Sequence, residues 1–127
     1  LKDLSFNTSY EFGFGEDNDF GMHLRNKGFD TYYISEFKIL HLKAPIGGFR
    51  VKPKRLWNDD LVQPKPSPTV MLFRILHCSK EQNNCYKITL FIKNFNKSFF
   101  INPFKYFSLF TKKWNQSVYW ATFLKNK

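Results

Sequence analysis

The sequence predicts an α/β fold followed by a mainly helical, basic and aromatic extension. Three observations carry that expectation. A helical pattern headed by acidic residues and closed by glycine covers residues 16–27. Two short runs rich in β-branched and aromatic residues follow it, Thr31-Tyr32-Tyr33-Ile34 and Lys38-Ile39-Leu40-His41. From residue 70 onward, apolar residues recur mostly at helical spacing. These place an α/β portion over residues 1–69 and the extension over residues 70–127.

The first helix starts at Glu16, with Glu16, Asp17 and Asp19 in its opening turn, where carboxylates suit the positive end of the helix dipole. Phe20 and Leu24 share one face at i, i+4 spacing. Arg25 and Lys27 fall in the last turn, and Gly28 suits the position just past the end. The two runs at 31–34 and 38–41 read as strands joined by a Ser-Glu turn. Residues 43–69 are punctuated by Pro45, Gly47, Gly48, Pro53, Pro64, Pro66 and Pro68, which marks a long irregular loop. Residues 70–82 read as helix. Residues 86–101 satisfy two templates: Ile88, Leu90 and Ile92 alternate as in a strand, while Phe91, Phe95 and Phe99 repeat as in a helix. Asn102 and Pro103 then form a cap and first turn. Beyond them Phe104, Phe107, Phe110, Trp114 and Val118 recur at helical spacing.

The 127 residues make one domain's worth of chain, and the opening at Leu1 reads as the middle of a longer protein. No apolar run is long enough to span a membrane, and no signal peptide is legible. Formal charge is +10 and is uneven. Residues 1–60 carry nine charges of each sign, whereas residues 61–127 carry eleven Lys and Arg against Glu81 alone. Such asymmetry calls for an anionic partner for the second half: a membrane surface, a nucleic acid or an acidic subunit. The spacing of His77, Cys78 and Cys85 does not match a zinc motif; the spacing of the two cysteines allows a disulfide, and they read rather as reduced thiols.

The acidic cluster Gly15-Glu16-Asp17-Asn18-Asp19-Phe20-Gly21 stands out against this basic background. Dipole complementarity alone explains acidic residues at a helix start. A calcium loop fails on count: with Asp17 at position 1, Met22 occupies the glycine position and Gly28 the bidentate glutamate position. A catalytic reading remains open. A carboxylate fixed at a helix N-terminus can accept the proton of a substrate hydroxyl as that oxygen forms a bond, and Gly15 and Gly21 would leave room for the substrate.

Taken together, GEDNDFGMHLRNKGFDTYY, KILHLKAPIGGFR and KPSPTVM resemble, in this order, the C-terminal part of inverting family 2 glycosyltransferases of the GT-A type, in a bacterial subgroup. The resemblance is specific over roughly residues 5–75. It implies an acceptor-side portion of a GT-A fold and transfer of a sugar from a nucleotide-diphospho-sugar donor to a hydroxyl of a glycan or lipid-linked acceptor. It further implies that Asp17 is the general base, with Glu16 and Asp19 orienting the acceptor or supporting the base. His41 would help hold a divalent metal, Mg²⁺ or Mn²⁺, on the donor diphosphate, the other ligands lying in an N-terminal half. Gly47 and Gly48 would form a hinge that lets Arg50 close on the diphosphate oxygens. His41 also reads as a strand-end side chain packed beside a core, and Arg50 as a solvated loop cation. His23 stands where the family usually has arginine. Relatives place a nucleotide-binding βαβ unit and an Asp-x-Asp metal motif before this region, so the fragment alone is expected to be inactive.

The tail has two readings. Its aromatics would lie on an anionic membrane with lysines toward the headgroups, or they would pack against protein. No nucleic-acid module is legible. The expected location is cytoplasmic, peripheral on the inner face of the plasma membrane. The alternative to an enzyme is a non-catalytic basic module, or a remnant of a transferase, that binds an anionic membrane or a protein partner.

Overall fold

The computed structural model describes residues 4–32, 34–36, 38, 54–95 and 100–127. A short 3-10 turn at Thr8–Tyr10 precedes helix α1 (Glu16–Asn26); α2 spans Pro68–His77, α3 Lys80–Lys93 and α4 Pro103–Asn126. No strand occurs among the described residues. The expected α/β, GT-A-type fold is therefore corrected to an all-helical assembly. A strand is held by hydrogen bonds to a neighbouring strand, and an isolated hairpin is marginal in water. Thr31, Tyr32, Ile34 and Lys38 make no ladder and are exposed. Tyr33 and the 39–41 part of the second run lie outside the described residues.

The helices follow their local signals. In α1 the three predicted acidic residues occupy the first turn, and the chain leaves the helix through Lys27 to Gly28 at φ +82°, a left-handed turn suited to glycine. The helix expected over 70–82 is two helices. Cys78 is extended, and Ser79 opens α3 with a reciprocal capping box: its hydroxyl accepts the Gln82 N–H, and the Gln82 side chain accepts the Ser79 N–H at 2.8 Å. Of the ambiguous 86–101 segment, residues 86–93 are helical, as the last part of α3. Phe91 meets the rings of Phe95, Tyr106, Phe107 and Phe110 at centroid distances of 5.1–6.1 Å. Asn102 caps α4, accepting the Lys105 N–H at 2.9 Å, and Pro103 stands in its first turn.

With 24 residues, α4 is about 36 Å long at ~1.5 Å per residue, and α2 packs along it. The core joins Met71 and Leu72 of α2 to Phe110, Trp114, Ala121 and Leu124 of α4, together with Tyr10 and Trp57. Side chains from both sides of residue 69 thus share one interior. Full burial of Leu72 and Leu124 contributes roughly 1.5–3 kcal/mol each relative to exposure. The aromatic stripe of α4 divides: Phe110 and Trp114 pack, whereas Phe104 and Phe107 face outward.

Residues 54–67 form no helix and wrap α4 through polar anchors, in keeping with the irregular loop expected there. Buried Ser117 donates its hydroxyl to the Pro66 carbonyl at 2.7 Å. Asp60 Oδ2 accepts from Trp120 Nε1 at 2.6 Å and from Gln116 Nε2 at 2.8 Å. The backbone N–H of Lys65 donates to the Lys113 carbonyl at 3.1 Å. Cys78 and Cys85 are free thiols. Among the described residues, no helix is long and apolar enough to cross a membrane.

Candidate functional site

The start of α1 is seated by close backbone contact. A Cβ on Gly13 would lie 2.5 Å from Thr69 Oγ1 and 2.9 Å from Thr69 Cγ2, and Thr69 is fully buried. Gly15, the residue before the helix, has φ +122°, and a Cβ there would lie 3.0 Å from the Tyr10 ring. Only glycine combines that conformation with that approach. The Phe14 N–H donates to Thr69 Oγ1 at 3.3 Å, tying the turn to the first residues of α2. Gly21 differs from both: a Cβ there would meet open space.

Asp19 is the buried member of the acidic cluster. Its Oδ1 accepts the Tyr10 hydroxyl at 3.1 Å and lies 2.7 Å from Nε2 of His77, at the last turn of α2. An ionised carboxylate has no proton to give, so His77 Nε2–H is the donor. Burial, the neighbouring Asp19 charge and the hydrogen bond to it push the Tyr10 phenol well above its ordinary range. One carboxylate thus joins the 3-10 turn, α1 and α2.

Asp17 is exposed, and among the described residues its carboxylate has no hydrogen-bond or ion-pair partner. It sits in the first turn of α1, whose leading N–H groups lack intrahelical partners. Beside it, Glu16 carries a buried Oε2 with no hydrogen-bond donor among the described residues. Such an atom is uncommon, because burying a polar group unpaired costs free energy. A small hollow of about 120 Å³ adjoins this helix start, lined by Phe14, Gly15, Asn18, Val70 and Phe73. Ligand pockets run to roughly 300–1,000 Å³, so the hollow suits one small group rather than a whole nucleotide-sugar.

Of the site residues expected from sequence, Glu16, Asp17 and Asp19 come together on one helical turn. His41, Gly47, Gly48 and Arg50 lie outside the described residues. No group of three or more His, Cys, Asp or Glu side chains among the described residues is placed to hold a metal ion. The nearest approach to one, Asp19 with His77, is turned inward on itself.

Sequence reasoning passed over Tyr10 and Gly13, and weighed His77 only as part of a zinc motif with Cys78 and Cys85. The alternation Phe12-Gly13-Phe14-Gly15 was a usable sign of close backbone approach. His77 had no local sign, since 58 residues separate it from Asp19.

A larger cavity of about 450 Å³ lies toward the other end of α4, lined by Lys65, Lys105, Lys113, Tyr106, Leu109 and Phe110 among others. The C-terminal end of α4 reaches back to the segment before α1, where the Lys127 ammonium pairs with Glu11 and sits 4.9 Å from the Phe12 ring centroid. No family model, curated protein or solved structure matches the chain.

Proposed function

We propose that the start of α1 is the acceptor side of a glycosyl-transfer site, with Asp17 as general base. The single observation that carries this reading is the division of labour within one helical turn. Asp17 presents a free carboxylate to solvent, while Asp19, two residues on, is bonded to Tyr10 and His77 and holds the turn in place. A base needs an available lone pair and a fixed backbone, and this turn supplies both. The reading rests on the site and on the sequence resemblance, not on fold class.

The reaction is a displacement with inversion. The acceptor hydroxyl oxygen forms a bond to the anomeric carbon as its proton passes to the Asp17 carboxylate. The bond from that carbon to the diphosphate oxygen breaks, and the nucleoside diphosphate leaves with the electron pair. In this reading Glu16, beside the base, orients the acceptor or supports Asp17. Asp19 positions the base and does not touch substrate. No step runs through a metal held by these residues. The donor, a nucleotide-diphospho-sugar, is held by parts of the protein other than this small hollow. The proposed location is the cytoplasm, with a glycan or lipid-linked acceptor.

The test is transfer by the complete gene product from a panel of nucleotide-diphospho-sugars. Asp17→Asn is expected to abolish transfer while donor binding, measured by calorimetry, is unchanged. Retained transfer would remove Asp17 from the role of base.

A further inference from the structure

We infer that the tip formed by the end of α3 and the start of α4 docks on an anionic phospholipid bilayer. The inference is independent of the role of Asp17. Ile101 is 84% and Phe104 87% exposed, and Phe107, three residues further along the same helix, is 61% exposed. On α3, Ile88 and Ile92 are also exposed. A helix that faces only water shows polar side chains outward, and this end of α4 shows phenylalanine. The same helix buries Phe110, Trp114, Ala121 and Leu124 against α2. Its far end thus has a protein partner, and its near end presents apolar side chains to solvent.

Charge selects the occupant. From residue 82 to 127 the chain has eight lysines and no Asp or Glu. Lys65, Lys105 and Lys113 line the 450 Å³ cavity beside Ile101, Tyr106 and Leu109. Among the described residues none of the three pairs with a carboxylate: Lys65 donates to the side-chain oxygen of Asn94, a neutral partner. The tip therefore joins exposed apolar side chains to uncompensated cations at one end of the molecule. That combination matches the interface of an anionic bilayer, where apolar side chains enter below the phosphates and lysines stay among them. A second copy of the chain would bring its own +10 to the contact, and like charges oppose such pairing. The cavity, lined by three lysines beside Ile101, Leu109 and Phe110, would take the phosphate end of one lipid.

The experiment is co-sedimentation of the 127-residue chain with vesicles of phosphatidylcholine, and with vesicles in which roughly a third of the lipid is phosphatidylserine. The chain is expected to bind the phosphatidylserine vesicles at least about tenfold more tightly. Ile101→Ser with Phe104→Ser should weaken that binding by about tenfold or more with helicity by circular dichroism unchanged. Lys105→Glu with Lys113→Glu should remove the preference for phosphatidylserine. Equal binding to both vesicles would overturn the inference, as would binding indifferent to the Ile101/Phe104 change. So would a solution dimer that the same double change dissociates. Binding of an oligonucleotide that outcompetes the vesicles would replace the lipid with a nucleic acid. No sugar donor or acceptor is present in this assay, so its failure leaves the transfer reading standing, and loss of the transfer reading leaves this one standing.

Discussion

His77 Nε2 lies 2.7 Å from Asp19 Oδ1, a contact that crosses 58 residues and pins the candidate base-bearing helix to the end of α2. Both side chains are largely shielded from water, at 13% and 11% side-chain exposure. Removing the imidazole leaves a buried carboxylate short of a donor. His77→Ala is therefore expected to destabilise the fold by about 1–3 kcal/mol, read from urea denaturation. His77→Gln, which keeps an N–H donor, should recover part of the loss. A change within error for His77→Ala would show that this contact does not hold α1.

Tyr10 makes the same carboxylate sensitive to alkali. The phenol has an ordinary value of 10.0 and titrates higher in the folded protein. The protonated phenol therefore contributes stability that is fully present below about pH 10 and is lost as pH rises through the folded value. Stability should fall more steeply above about pH 10 in the native chain than in Tyr10→Phe. Parallel curves for the two proteins would contradict the linkage.

Two glycines near the acidic cluster should respond in opposite directions. Gly13→Ala places a methyl group against buried Thr69 and is expected to cost about 1–3 kcal/mol. Gly21→Ala, inside α1 with open space around it, is expected to stabilise by about 0.5–1 kcal/mol. Thermal denaturation of the two single variants separates them, and the same sign for both would overturn the packing described at Gly13.

The two ends of α4 make a similar pair. Leu124→Ala, at a fully buried position, is expected to cost about 2–5 kcal/mol. Phe104→Ala, at an exposed one, should stay within about 0.5 kcal/mol of the native chain. Comparable losses at both sites would mean that the first turns of α4 also pack against protein.

At the candidate site, Asp17→Asn should lower stability by no more than about 1 kcal/mol, the size of its interaction with the helix dipole, because among the described residues this carboxylate has no bonded partner. Transfer by the complete gene product should fall by a factor of about 10²–10⁴ or more. Asp19→Asn, by contrast, should lower stability as well as transfer, since it disturbs the contacts to Tyr10 and His77. Denaturation and activity measured side by side distinguish the base from its support.

Local chemistry made several elements readable in advance. The acidic first turn and terminal glycine of α1, and the Asn102-Pro103 start of α4, are recognisable because each signal acts within one turn of backbone. The break between α2 and α3 was equally local, since Ser79-Lys80-Glu81-Gln82 spells a capping box, yet an apolar run on one side of it suggested a single helix. The strands expected at 31–34 and 38–41 came from propensity alone. Propensity favours a pleated, half-buried surface and supplies no neighbour to pair with; the described residues of those runs have none.

What the sequence by itself determined is a set of short-range facts: where helices begin, where acid is concentrated, and that the second half is cationic with aromatics at helical spacing. Only the tertiary structure decided which of three neighbouring carboxylates is buried, and that Phe110 and Trp114 turn inward while Phe104 turns out. The physical reason is range. Caps and dipoles act across a few residues, whereas burial depends on which distant surface arrives, here α2, bringing His77 to Asp19 and Leu72 into the same core as Leu124.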